Sequence, residues 1–85
     1  GLTVVEASGQ TLMPGFIDAH VHAYGEARRE ALRFGTTTVL DMFGDPALLQ
    51  SARAERESLA TSEHADLWGA GMLATAQGGH GTQFG

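Results

Sequence analysis

The sequence predicts an α/β fold built on a parallel sheet. Two small β-prone runs come first, and three further strands then alternate with two segments of helical periodicity. Glycine and proline separate these segments, so each has the length of one element. Strands that alternate with helices are joined by crossover connections, which produce parallel pairing. A doubly wound sheet and a (β/α)8 barrel both satisfy this order.

The first 15 residues predict a small β element. Leu2 to Val5 and Gln10 to Met13 are β-prone runs, and the polar stretch 6–9 between them predicts a hairpin or a short connection. Pro14 and Gly15 then fit a tight turn, with proline at its second position and glycine where a positive φ is needed. A new strand is expected to begin directly after this turn.

The strand from Phe16 to His22 separates its odd and even positions. The odd positions are purely apolar, namely Ile17, Ala19 and Val21. The even positions carry Phe16 and the polar side chains of Asp18, His20 and His22. Because alternate side chains of a strand point to opposite faces, this pattern predicts a buried strand with one face reserved for chemistry.

The next two elements form the first helix and the second main strand. Residues 25–34 have apolar side chains at helical spacing, with Gly35 as a natural stop, and predict a short amphipathic helix. Residues 36–43 are β-branched at the front and apolar later, which predicts a strand.

A second helix and a third main strand follow. Asp45 fits the N-cap and Pro46 the first helical position of a helix that extends to about Ala60. Its expected buried residues are Leu48, Leu49, Ala52 and Leu59. Residues 65–73 predict the third strand, where Gly69 and Gly71 leave gaps for the close approach of another group. The glycine-rich tail, residues 74–85, predicts a loop around His80.

Composition excludes several function classes. The 85 residues carry a formal charge of −5, and the five arginines are scattered, which argues against nucleic-acid binding. No apolar run approaches the roughly 18–20 residues that span a bilayer. The chain has no cysteine, which is compatible with the cytoplasm, and it contains no lysine. It begins without methionine and ends in a glycine-rich run, so we expect it to be a piece of a longer protein.

His20 and His22 have the spacing of metal ligands. Two residues apart on a strand, their Cα atoms lie about 6.6 Å apart and their side chains share one face. Both imidazoles could therefore converge on one ion at about 2.0–2.1 Å per zinc–nitrogen bond. A pair of polar residues decorating a strand end is the plainer alternative, but histidines on a buried strand need partners.

Two segments resemble the metal-dependent amidohydrolase superfamily, whose members include urease, dihydroorotase, hydantoinase, imidazolonepropionase and prolidase-type enzymes. Residues 14–22, Pro-Gly-Phe-Ile-Asp-Ala-His-Val-His, resemble its first barrel strand, and residues 35–42, Gly-Thr-Thr-Thr-Val-Leu-Asp-Met, resemble its second. Residues 9–13 resemble the last strand of the small β-sandwich that flanks the barrel in many members.

The resemblance implies the N-terminal portion of a (β/α)8 barrel, about three βα units, preceded by a hairpin of the flanking sandwich. The implied domains are residues 1–14 for the sandwich segment and 15–85 for an incomplete barrel. His20 and His22 would be ligands of a divalent metal, most simply zinc, in a hydrolase that acts on amide or cyclic amide C–N bonds. The family's bridging lysine, later histidines and general-base aspartate lie beyond these strands, so no catalytic residue is assigned here and we expect the chain alone to be inactive.

Five further residues are weighed as site candidates. Asp18 and Asp41 could orient a metal-binding imidazole by accepting a hydrogen bond from its other ring nitrogen, or could make structural hydrogen bonds. His80 could contact substrate from the loop after the third strand, or could be a plain loop residue. Tyr24 could line the pocket or pack on the first helix, and packing is the expectation. His64 is expected to be a solvated residue at the opposite rim.

Two alternatives from other classes stay open. The chain could belong to a non-catalytic, amidohydrolase-like scaffold, although a scaffold has no need of both histidines. It could also be a small α/β domain whose metal site is completed by oligomerisation. All three hypotheses need either the rest of a barrel or an oligomeric partner, and the expected ligand is a small molecule, with neither nucleic acid nor membrane as a partner.

Overall fold

Three parallel strands and two helices make up the ordered framework. The computed structural model describes residues 1–58, 60 and 62–84. The elements in chain order are β1 (Phe16–Val21), α1 (Ala27–Arg33), β2 (Thr36–Asp41), α2 (Pro46–Glu57), β3 (Asp66–Gly69) and a 3-10 turn (Thr82–Phe84). None of the described helices has the length and apolar content needed to cross a lipid bilayer.

The sheet has the order β1-β2-β3, and both pairings are parallel. Helix α1 packs on β2 and α2 packs on β3. Both helices contribute to one apolar cluster, whose buried members are Ala23, Val39, Ala52, Ala65 and Leu67. Because both helices share this core, they cover the same face of the sheet. The other face carries no helix among the described residues.

The prediction of a barrel preceded by a sandwich hairpin is wrong. The described strands form an open three-stranded sheet with β1 and β3 as its edges, whereas closing a barrel of this kind takes eight strands with a fixed stagger. Residues 1–15 contain neither strand nor helix. Their apolar side chains are exposed, with Leu2 at 97% and Leu12 at 99%. β-propensity depends on neighbours to pack against, and these residues have none.

Strand β1 is exposed instead of buried. Phe16 and Ile17 are 64% and 65% exposed, because β1 is an edge strand with no helix or strand beyond it. Its pairing with β2 is also irregular. Asp18 pairs with Val39 and Val21 with Asp41, so three steps along β1 match two along β2. One extra residue of this kind is a β-bulge, and it breaks the strict alternation that the sequence suggested.

Helix α2 begins as predicted. Asp45 is the N-cap and accepts a hydrogen bond from the backbone N–H of Ala47 at 2.8 Å, and Pro46 occupies the first turn. Ala52 is buried, and Leu48 and Leu49 are half-buried against the core. Leu59 and Gly85 lie outside the described residues.

Most other elements are shorter than predicted. Helix α1 covers residues 27–33 instead of 25–34, β2 ends at residue 41, and β3 has only four residues. The gap predicted at Gly69 is filled from within the chain. A Cβ there would lie 2.7 Å from Cδ2 of Leu49 on α2 and 3.2 Å from the carbonyl oxygen of Asp41.

A cluster of charged side chains ties α1 to α2 and to the start of β3. Arg28 donates to Glu55 at 2.7 Å and to the carbonyl oxygen of Ala65 at 2.9 Å. The His64 ring lies 3.2 Å from the same carboxylate through Nδ1. Hydrogen bonds from Arg28, and secondly from His64, hold the pKa of Glu55 below its ordinary value. The cluster therefore joins both helices to the sheet near the amino-terminal end of β3, away from the carboxyl ends of the strands.

Candidate functional site

One cavity gathers most of the chemistry-bearing residues of the chain. It has a volume of about 460 Å³ and lies at the carboxyl ends of the parallel strands. Its walls are His20, His22, Tyr24, Met42, Phe43, Leu73, His80 and Gly81. Open α/β sheets bind ligands outside the carboxyl ends of their strands. This cavity is accordingly the candidate site.

His20 and His22 enter the cavity from the end of β1. His20 belongs to the strand and His22 follows its last residue. The two rings lie edge to face, with centroids 5.8 Å apart and an interplanar angle of 90°. Both residues are exposed, so an ion or a substrate can reach them. The register shift lies between Asp18 and Val21. Val21 and Ala23 pack in the core, so alternation along the chain directs His20 and His22 away from the helical face.

The spacing of these rings is compatible with one shared metal ion. With zinc–nitrogen bonds of about 2.0–2.1 Å and a tetrahedral angle, two ligating imidazoles have ring centres about 5 Å apart. The observed separation of 5.8 Å is close to that distance. The residues present therefore fit as part of a metal site. Within the described residues, however, no group of three or more histidine, aspartate, glutamate or cysteine side chains is arranged to hold a metal.

Asp18 lies on the other side of β1 from the histidine pair. It lines a different cavity, next to Val21, Ala23 and α1. Its carboxylate accepts a hydrogen bond from the backbone N–H of His20 at 3.1 Å. The register explains this placement, because Asp18 pairs with Val39 on the helical face. The structure thus links Asp18 to the backbone of His20 and gives it no contact with either ring.

Asp41 ties together two of the segments that form the cavity walls, those after β1 and β2. It is 1% exposed, at the end of β2. One carboxylate oxygen accepts from the backbone N–H of Ala23 at 3.1 Å, and the other accepts from that of Phe43 at 2.9 Å. Ala23 lies between the wall residues His22 and Tyr24. The carboxylate therefore joins the segment after β1 to the segment after β2.

His80 and Tyr24 both lie on the cavity wall. The sequence left substrate contact open for His80, and the structure places this residue on the cavity wall, in the loop before the 3-10 turn. The Tyr24 ring is nearly parallel to that of His22, at 16° and 6.3 Å between centroids. Tyr24 therefore faces the cavity, where the sequence suggested packing on the first helix.

Four wall residues were not predicted: Met42, Phe43, Leu73 and Gly81. Met42 and Phe43 directly follow β2, so their position at a strand end was an available signal. Leu73 belongs to the predicted third strand but lies beyond the end of β3, and Gly81 comes from the tail, whose path the sequence does not indicate. His64 lies elsewhere, in the charged cluster with Glu55, and does not line this cavity.

Comparisons of the chain with protein-family models, with curated proteins and with solved structures found no match.

Proposed function

We propose that this chain supplies His20 and His22 as two ligands of a catalytic divalent metal, zinc in the simplest case, in a member of the metal-dependent amidohydrolase superfamily that cleaves amide or cyclic amide C–N bonds. The observation that carries the proposal is the convergence of both imidazoles in one cavity at the carboxyl ends of a parallel sheet. The sequence motif of residues 14–22 supports the same family.

The chain's own residues have three tasks in this proposal. His20 and His22 hold the ion, and a bound divalent cation supplies Lewis-acid polarisation of a carbonyl and acidifies water. Asp41 keeps the segments that carry the cavity walls together. The apolar wall side chains provide a contact surface for the substrate. The further metal ligands come from residues outside this chain, since two donors alone make a weak site.

Zinc titration of the chain tests the ligand assignment. With ¹⁵N-labelled histidine, we expect zinc to shift the imidazole nitrogen resonances of His20 and His22, with weak affinity and no amide turnover. His20→Ala and His22→Ala should each lower zinc affinity by about tenfold or more, because one imidazole cannot hold the ion alone.

His64→Ala is the matched control, since His64 is the histidine that contacts Glu55 in the charged cluster. It should leave zinc affinity unchanged. Zinc binding that survives in both His20→Ala and His22→Ala would contradict the proposal, as would resonance shifts centred on His64.

A second candidate is a site completed by another copy of the chain. It is favoured by one observation, that the described residues offer no group of three metal donors although the histidine pair is exposed. Sedimentation with and without zinc separates the two. Completion by a second copy predicts a zinc-dependent dimer that is lost in His22→Ala, whereas completion by another part of a longer protein predicts a monomer in both conditions.

A further inference from the structure

The candidate site has two chemically different sides. Three imidazoles, from His20, His22 and His80, supply most of its polar groups. The remaining side chains are apolar or aromatic, and they come from the segments after β1, β2 and β3: Tyr24, Met42, Phe43 and Leu73. Ligand sites of small-molecule enzymes have this composition, with a few polar groups that orient the ligand and apolar walls that hold its body.

The apolar side is accessible to a ligand. Tyr24 is 65% exposed and Leu73 41% exposed, although both are large hydrophobic or amphipathic side chains. The Tyr24 ring runs nearly parallel to the His22 ring, with centroids 6.3 Å apart, so the two rings present flat surfaces of similar orientation. Flat aromatic surfaces favour offset stacking with another ring. An aromatic ligand group could therefore cover apolar surface that is otherwise in water.

The volume of the cavity is that of a small-molecule site. About 460 Å³ lies in the lower half of the range of roughly 300–1,000 Å³ typical of such sites. That space accommodates a single ring attached to an amide.

We propose that the substrates of this site are small amides that carry an aryl group, with the ring against Tyr24 and Phe43 and the amide directed to His20 and His22. The direction of the amide depends on the proposed function. The preference for the aryl group depends on the apolar walls alone, so the two can fail separately.

The test compares two neutral amides, N-benzylacetamide and N-methylacetamide, in NMR titrations of the metal-free chain. N-benzylacetamide should bind about tenfold or more tightly, because burial of a phenyl ring favours binding by at least that factor. Phe43→Ser should reduce the ratio of affinities towards one. Phe34→Ser is the matched control, because Phe34 is an aromatic residue outside this cavity and 83% exposed, and it should keep the ratio.

Tyr24→Ser gives a second reading if Phe43→Ser does not fold, because truncation of so exposed a side chain costs the fold little. Equal affinities for the two amides would overturn the inference, as would a preference that persists in Tyr24→Ser and in folded Phe43→Ser. A zinc titration of the same samples decides the proposed function independently. If the wild-type chain binds zinc through His20 and His22 but shows no preference for the aryl amide, this inference alone is refuted. If it prefers the aryl amide but does not bind zinc, the metal assignment alone is refuted.

Discussion

Asp41→Asn should destabilise the chain strongly, although it changes one atom. The carboxylate is 1% exposed and accepts from two backbone N–H groups, at 3.1 and 2.9 Å. Asparagine keeps one acceptor oxygen and turns an NH₂ group towards the other N–H. The loss of one charge-assisted hydrogen bond and the burial of facing donors together cost about 3–5 kcal/mol. A domain of this size has only about 4–13 kcal/mol of unfolding free energy, so the loss removes a large share of it.

Urea denaturation followed by the fluorescence of Trp68, the chain's single tryptophan, measures this cost. Asp45→Asn is the matched control, because it makes the same chemical change at the N-cap of α2. Asparagine caps helices as well as aspartate, so the control should change stability by less than about 0.5 kcal/mol. Equal unfolding free energies for Asp41→Asn and Asp45→Asn would refute the role of Asp41 as the tie between the two loops.

Three further predictions concern stability. Folding lowers the pKa of Glu55, so the stability that this carboxylate gives the fold should be complete above about pH 5 and be lost as the pH falls below its ordinary pKa of about 4.3. The difference in urea midpoint between wild type and Glu55→Gln should therefore shrink from pH 7 to pH 3. A difference that stays constant would contradict the ion pair. Asp45→Ala should lower the unfolding free energy by about 0.5–2 kcal/mol through loss of the cap, measured by the same urea titration. Gly69→Ala should lower the unfolding free energy by about 1–3 kcal/mol, because its methyl group would lie 2.7 Å from Cδ2 of Leu49. If Leu49 is the obstacle, the same substitution should cost less in a Leu49→Ala background; if the backbone is the obstacle, the cost should be equal in both backgrounds.

The local features were predictable because local residues cause them. Asp45 and Pro46 define the start of α2 by a side-chain cap and a preset φ, and neither depends on the rest of the fold. Gly35 has φ +89° after α1, a conformation that glycine adopts without steric cost, and the helix ends at Arg33, one residue before the predicted end. The alternation of strands and helices likewise predicted the parallel pairing of β1, β2 and β3.

The number of strands and the exposure of β1 were not predictable from the same signals. The apolar residues at the odd positions of 16–22 predict a buried face. Whether another element covers that face depends on other parts of the protein, which these residues do not specify. The bulge between Asp18 and Val21 has no sequence signature such as glycine. Strict alternation therefore assigned Asp18 to the face of His20, and one extra residue in the strand was enough to move it to the other.

The bulge and Asp41 together explain how an edge strand can present two imidazoles to one point. After the bulge, Val21 and Ala23 point to the core, and Ala23 is 5% exposed. The Asp41 carboxylate accepts a hydrogen bond from the backbone N–H of Ala23, the residue after His22, and Val21, the residue before it, belongs to β1. The backbone is therefore restrained on both sides of His22, although the ring itself is exposed. When a metal or a substrate binds, a backbone that is already restrained loses less conformational entropy than a free loop would lose. Asp41 thus acts on His22 through the main chain, so zinc affinity should fall in folded Asp41→Asn and stay unchanged in Asp45→Asn; equal zinc affinities in the two variants would refute this route.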